Sequence, residues 1–366
     1  MKHTFYNVGH GDTIFIKPDD GEKRLIVRDM GCYARISSNN GMKAALHDLK
    51  QYIDKDYSID VIISHAHIDH YKGFKKLYDD GERKIFKNTY IPYLDDSNRS
   101  SLLWSVFVIS VGMYLYFPVY SYYYRKAKEW LLLAPIMADL STQVIGVSNV
   151  SAGINLGHSH LNFLWPPEKN FTNLDLKELN TFVRTIFAES DFVKEEDNNL
   201  FEAFCDEVYH EITRCFDDQG RTDHASTVLR ILEEKKEQVF ESQEANFFVN
   251  IFKDASIGKK YKHSVDNHSI VFDIEKESFY LSDICEDAMD AMFNQCGCRI
   301  ASQYPLLKSA HHGTRICNDL KKMRFSKIVH CCGKGNRRYG RPLNDYKQMN
   351  STVVYMDAVK AAKQTF

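Results

Sequence analysis

The chain has 366 residues, of which 44% are hydrophobic and 26% are charged, and its formal net charge at pH 7 is -2. These values exclude a disordered or fibrous chain and allow one large or two average globular domains. The residues after Met1 do not form the pattern of a secretory signal peptide, which is a basic segment followed by an apolar run and a small-residue cleavage site. The nine cysteines include no C-x-x-C pair. We therefore expect a cytoplasmic protein with reduced thiols.

Short apolar runs occur towards both ends of the chain, whereas helical periodicity dominates the middle. The spacing of apolar residues at 41–52 predicts a helix. This alternation of patterns predicts an α/β fold in which a sandwich of sheets is flanked by helices. The strands are expected at 3–8, 12–17, 24–29, 59–64, 84–91, 143–148, 160–165, 269–274, 278–282, 305–310, 326–331 and 352–356.

Three histidines and one aspartate lie within six residues, His65, His67, Asp69 and His70, directly after the apolar run 61–63. Imidazole and carboxylate suit zinc and its neighbours among the transition metals, and the lack of thiolate argues against a closed structural site. In an extended segment the first three side chains would share a face, and a turn would bring His70 beside them. The spacing predicts a site for two metals ~3.5–4 Å apart. The alternative is a group of surface histidines, but four ligand-type residues directly after a buried strand fit that alternative poorly.

Residues 100–124 carry no charged side chain and are long enough to span a bilayer of ~30 Å. A single crossing would separate the histidine motif from the acidic and histidine residues further along the chain, and 130–138 is too short for a return. We therefore predict no transmembrane span and a buried or interfacial helical insertion, which offers a dimer surface. Attachment to a membrane surface is the alternative.

Two further histidines lie at the start of the strand expected at 160–165: His158 precedes it and His160 is its first residue. His160 is a candidate metal ligand, and a histidine at a turn or strand edge is the alternative.

A second insertion is indicated at 171–261, where apolar residues recur at helical spacing in two stretches, 200–215 and 228–240. Residues 171–250 contain 19 Asp and Glu against 8 Lys and Arg, whereas 299–366 contain 3 against 14. The basic region predicts a positive potential that attracts an anionic substrate, such as nucleic acid or a nucleotide. The acidic insertion is a partner surface, a lid, a nucleic-acid mimic or a solvated helical hairpin.

Two later strands end in residues that can bind metal. Asp283 follows the strand at 278–282, and His311 and His312 follow the strand at 305–310. Each has an ordinary explanation alone, because aspartate often begins a turn and paired histidines are often surface residues. Together with His65–His70 they predict one dinuclear site.

These motifs, in this order, resemble the metallo-β-lactamase fold and its branch typified by the hydrolase-like domain of the competence protein ComEC. Four positions depart from the pattern of that branch, namely Asn7, His10, Ser282 and Arg341, and the third histidine ligand of better-known lactamases has no clear counterpart. The resemblance rests on NVGHGDTIFI at 7–16, the Asp-x-Gly turn within 25–31, H-x-H-x-D-H at 65–70, DNHSIV at 266–271, LSD at 281–283, KSAHHGT at 308–314 and GNRRYGRP at 335–342.

The resemblance implies an αββα sandwich built from residues 1–98, 142–170 and 262–366, with helical insertions at 99–141 and 171–261. It implies a metal-dependent hydrolase, a phosphodiesterase or nuclease in the first place. A hydrolase of thioesters, lactones or lactams and a regulated interaction protein with structural metals are the alternatives.

The site implied by the resemblance holds two divalent metals, zinc or manganese, and a hydroxide between them that attacks phosphorus. His65 and His67 would bind one metal, Asp69 and His70 the other, Asp283 would bridge, and His311 or His312 would complete a site. Asp12 and Asp29 would orient the metal loop from behind. The substrate would contact Lys308, Asn336, Arg337, Arg338 and Tyr339.

Overall fold

The structure is a computed structural model, and it describes residues 1–19, 21–92, 102–167, 177–179, 181–183, 200–218, 220–239, 255–332, 344–349, 351–356 and 361–366. The chain divides into two compact units. The first comprises Met1–Tyr93, Leu140–Lys169 and Asp266–Phe366, and the second comprises Leu94–Asp139 and Asn170–Val265. All the predicted metal ligands belong to the first unit.

The strands of the first unit occur near the expected positions. Two further edge strands, Ile154–Leu156 and Lys363–Thr365, are not predicted by the sequence, because the alternation of apolar and polar residues is weak over three residues. In chain order the strands are β1 Lys2–Tyr6, β2 Thr13–Lys17, β3 Arg24–Met30, β4 Ser58–Ile62, β5 Phe86–Pro92, β6 Ser141–Val147, β7 Ile154–Leu156, β8 Ser159–Trp165, β9 Val271–Ile274, β10 Ser278–Tyr280, β11 Gln303–Lys308, β12 Arg324–His330, β13 Thr352–Tyr355 and β14 Lys363–Thr365.

Helices follow several of these strands and also form the second unit. They are α1 Asn40–Asp54, α2 Ile68–Asp79, α3 Leu102–Tyr116, α4 Tyr122–Leu140, α5 Leu200–Asp217, α6 His224–Val239, α7 Ala255–Asn267, α8 Glu286–Cys296, α9 Asn318–Lys322 and α10 Asn344–Gln348, with 3-10 turns at Ile36–Ser38 and Ala310–Gly313.

The strands form two mixed sheets in the order β14-β1-β2-β3-β4-β5-β6 and β13-β12-β11-β10-β9-β8-β7. In each sheet one half is antiparallel and the other half, β3 to β6 or β10 to β13, is parallel. Apolar side chains from both sheets, among them Ile26 and Ile62 from one and Phe272 and Leu306 from the other, form one buried cluster. The α/β class is therefore confirmed, with two sheets that share a core.

The histidine motif does not lie in an extended segment as expected. Strand β4 ends at Ile62 and helix α2 begins at Ile68, so Asp69 and His70 lie in the first helical turn. An acidic side chain is favourable there because the helix dipole places partial positive charge at the amino terminus. The backbone of Asp69 also lies against Gly31, where a β-carbon would overlap it.

The second unit contains the described parts of both predicted insertions and is helical. Rings of Trp104 and Phe107 on α3 pack against Tyr209 on α5. The carboxylate of Asp139 accepts hydrogen bonds from the backbone amides of His224 and Ala225 and so caps α6. Among the described helices, none combines the length and apolar character needed to cross a membrane.

Candidate metal centre

One carboxylate oxygen, Oδ2 of Asp283, lies close to four imidazoles. It is 3.9 Å from Nε2 of His65, 3.6 Å from Nε2 of His70, and 3.7 Å from Nε2 of both His311 and His312. The carboxyl ends of β4, β10 and β11 therefore meet at one place. The structure brings together residues that are more than 200 positions apart in the sequence.

Asp69 lies on one side of this group. Its Oδ2 is 3.8 Å from Nε2 of His70 and 3.7 Å from Nε2 of His312. His10 places its Nε2 3.5 Å from the same oxygen. His312 therefore belongs to the same group of candidate ligands as Asp69 and His70.

Asp266 lies on the other side, and sequence reasoning did not assign it to the site. Its Oδ1 is 3.3 Å from Nδ1 of His67 and 3.9 Å from Nε2 of His65. Arg315 donates a hydrogen bond of 3.1 Å to its other oxygen. The sequence contained a clue to Asp266, because this residue is the first of the DNHSIV motif at 266–271.

The spacing of these atoms suits metal ligands better than hydrogen bonds. Nε2 of His70 and of His312 and Oδ1 of Asp69 and of Asp283 are buried and make no hydrogen bond within the described part of the chain. Two ligands that each lie ~2.1 Å from a tetrahedral ion are roughly 3.4 Å apart. His65, His67 and Asp266 can hold one ion, and a second group, His65, His70 and Asp283, also has suitable spacing.

Asp29 and Ser64 orient the imidazole of His70. Nδ1 of His70 lies 3.0 Å from Oδ2 of Asp29 and 3.1 Å from Oγ of Ser64. The carboxylate of Asp29 also accepts hydrogen bonds from the amide and hydroxyl of Ser64, at 2.8 and 2.9 Å. Because these contacts engage Nδ1, Nε2 is the nitrogen that faces Asp283.

Asp12 lies behind His312 and is neutralised by two buried cations. Its carboxylate forms ion pairs with Arg28, at 3.1 Å, and with Lys308. Its other oxygen is 3.7 Å from Nδ1 of His312. Lys308, for which a substrate contact is predicted, is completely buried in the structure, and its charge pairs with Asp12.

Charge interactions keep the carboxylates of the cluster ionised. Burial would raise the pKa of Asp69, but His70 and His312 outweigh it and lower that pKa. Burial likewise opposes ionisation of Asp283, yet His311, His312 and His70 hold its pKa well below the ordinary value. Burial and the neighbouring imidazoles His70 and His67 lower the pKa of His65, which keeps it neutral as a metal ligand must be.

The paired histidines lie on an unusual turn. His311 and His312 have φ values of 42° and 58°, and Gly313 follows with 89°. Side chains other than glycine rarely adopt this region, and such strain concentrates at functional sites. His330 packs against Gly313, where a β-carbon would overlap its ring. The turn allows both consecutive histidines to approach Asp283.

His160 is not brought to the cluster. It lies near the start of β8, and the next residue, Leu161, pairs with Ile274, which in turn pairs with Ser278 at the start of β10. Asp283 follows the opposite end of β10. His160 and the cluster are therefore at opposite ends of the second sheet.

The remaining predicted substrate contacts, Asn336, Arg337, Arg338 and Tyr339, lie outside the described residues. Comparisons of the chain with protein-family models, with curated proteins and with solved structures found no match.

Proposed function

We propose that this chain is a metal-dependent hydrolase of phosphodiester bonds in nucleic acid or a nucleotide, built on the metallo-β-lactamase fold of the ComEC-like branch. The observation that carries the proposal is the position of Asp283, whose Oδ2 lies within 3.9 Å of four imidazole nitrogens from two other segments of the chain. A buried carboxylate between two groups of ligands is the arrangement that a dinuclear hydrolase requires.

The contacts support a division of the ligands between two divalent ions, zinc in the first place and manganese as the alternative. One group consists of His65, His67 and Asp266, and the other consists of Asp69, His70 and His312. Asp283 is shared, because it contacts His65 from the first group and both histidines of the second. Asp266 would then be the third ligand of the first ion, for which the sequence offers no clear histidine.

Such ions, when bound, lower the pKa of water and stabilise charge on the attacked centre. The side chains of the site supply negative charge, fixed ligand orientation and nearby positive charge. The buried carboxylates remain ionised, Asp29 fixes the orientation of His70, and Arg315, which donates hydrogen bonds to Asp266 and to the carbonyl of Asp283, adds positive charge beside them. The excess of basic residues in 299–366 favours an anionic substrate over a neutral lactam.

We further propose a cytoplasmic location. None of the nine cysteines, all of which lie in the described residues, forms a disulfide, and eight of them are buried, which fits a reducing compartment.

The test is cleavage of single- and double-stranded DNA and RNA, beside bis-p-nitrophenyl phosphate, by protein loaded with zinc or manganese. Asp283→Ala and Asp69→Ala are expected to lower the rate by about 1000-fold, because each removes several kcal/mol of metal-dependent stabilisation. Asp79→Ala, an exposed aspartate that pairs with Lys75, is the control and retains full activity.

Equal cleavage by wild type and Asp283→Ala would refute the mechanism. A panel of thioesters, lactones and lactams tests the alternative reaction. Hydrolysis of one of these, with no phosphodiester cleavage by fully loaded protein, would refute the choice of substrate.

A further inference from the structure

A half-exposed aromatic side chain lies beside the metal centre. The ring of Tyr33 is 4.7 Å from the ring of His10, and the ring of His10 is 4.4 Å from that of His312. His10 also lies 3.5 Å from Asp69. The three rings form a row that leads from a buried ligand to the surface, where Tyr33 is 50% exposed.

The backbone holds Tyr33 in this position. Its amide donates a hydrogen bond of 3.0 Å to the carbonyl of His10. The ammonium group of Lys72 donates to the carbonyls of Tyr33, at 3.3 Å, and Ala34, at 2.7 Å. A large apolar side chain is therefore presented to solvent on a fixed turn, although burying it would be favourable.

Two basic residues accompany Tyr33, one through its backbone and one in the sequence. Lys72 lies under the turn, and Arg35 is exposed two residues after Tyr33. Aromatic rings beside basic groups are the means by which proteins bind single-stranded nucleic acid, because every base has a face that can stack and every phosphate is negative.

We infer that Tyr33, supported by His10, is a stacking platform for an unpaired nucleobase next to the cleaved phosphodiester. The inference rests on the proposed function and narrows its substrate to single-stranded nucleic acid or a nucleotide. A base paired within a duplex has no free face to offer, so duplex substrates would not use the platform. The path from Asp69 through His10 to Tyr33 is short enough for one nucleotide to span.

The experiment compares two single-stranded oligonucleotides that differ only beside the cleaved bond, where one carries a base and the other an abasic sugar. With metal-loaded full-length protein, Tyr33→Ala is expected to raise KM for the first substrate by roughly 5- to 100-fold. The change with the abasic substrate is expected to be much smaller, and kcat is expected to change by less than about twofold because the ring lies outside the ligand groups. Tyr33→Phe and Tyr33→Trp retain a stacking face and are expected to keep KM close to that of the wild type.

Val150→Ala is the control, since Val150 is an exposed apolar residue of the same unit that contacts none of the ligands. An equal rise in KM for both substrates, or no rise for either, would overturn the inference while leaving the hydrolase proposal standing. A wild-type protein that cleaves neither substrate would refute the proposed function, and the inference would fall with it.

Discussion

Oδ2 of Asp29 lies 3.0 Å from Nδ1 of His70, and both side chains are completely buried. The backbone of Asp29, the last residue but one of β3, has a φ of 51°. The carboxylate therefore reaches from the end of one parallel strand to a ligand on the helix that follows the next strand. This contact determines which nitrogen of His70 faces Asp283, although Asp29 itself lies behind the ligands.

Asp29→Asn is expected to lower metal affinity by about 10- to 100-fold, the usual effect of changing a residue that orients a ligand. Asparagine tolerates a positive φ, so the fold should persist. Metal titration in competition with a chelator measures the affinity. Asp60→Asn is the matched control, since Asp60 is equally buried but binds Arg24 and Asn88 instead. Wild-type affinity in Asp29→Asn would contradict the proposed orientation of His70.

Asp266→Asn tests the third proposed ligand of the first ion. The amide oxygen can still accept the hydrogen bond from Arg315, but the charge that would bind the ion is lost. We expect bound metal to fall from about two ions per chain to about one, as measured by elemental analysis after gel filtration. Asp273→Asn is a suitable comparison, because Asp273 is also buried in the second sheet and contacts Tyr304 and Asn162. Two ions per chain in Asp266→Asn would exclude Asp266 as a ligand.

Much of the fold could be predicted from the sequence, because buried parallel strands such as β4 and β11 are short apolar runs with polar residues at their ends. Ligand-type residues that follow such strands could be found for the same reason, His65 after β4 and His311 after β11. Parallel neighbours within one sheet end at the same edge, but β4 and β11 belong to different sheets, so their meeting depends on how the two sheets pack.

The errors have a common physical cause, which is that sequence pattern does not report tertiary contacts. Lys308 is a charged residue at a strand end and reads as a substrate contact, yet Asp12 stabilises it in the interior. Asp266 lies in the last turn of helix α7 rather than after a strand, so the rule of ligands at strand ends did not include it. His160 is the second residue of strand β8, at the opposite end of the second sheet from Asp283.

Gly31→Ala is expected to remove metal binding without touching a ligand side chain. A β-carbon at position 31 would overlap the backbone of Asp69 and of His70, which cannot move without shifting the start of α2. Unfolding midpoints and metal content should both fall, the latter to below about one ion per chain. Gly220→Ala is the control, since its β-carbon would meet nothing within 4 Å. Full metal content in Gly31→Ala would show that the helix start can adjust.

His3 is expected to make the protein less stable in mild acid. Burial, together with the amino-terminal ammonium group, lowers the pKa of His3 from 6.5 to about 4. Its Nδ1 shares a hydrogen bond of 2.6 Å with the hydroxyl of Tyr280. Between pH 6.5 and about 4 the unfolded chain therefore takes up a proton that the folded chain does not, so the free energy of unfolding falls as the pH falls. The slope from this one group is about 1.4 kcal/mol per pH unit in the middle of the range and disappears below pH 4, where the folded state is protonated too.

Urea unfolding at several values of pH from 4 to 7 measures this slope. His3→Gln removes the titrating group. The free energy of unfolding of this variant should therefore depend on pH less steeply than that of the wild type, by an amount that corresponds to about one proton. Tyr280→Phe is the control, because it removes the hydrogen bond but leaves His3 buried, and it should lose stability at every pH while keeping the wild-type slope. Equal slopes in His3→Gln and the wild type would mean that other groups cause the acid sensitivity. A shallower slope in Tyr280→Phe would mean that the hydrogen bond, rather than burial, keeps His3 neutral.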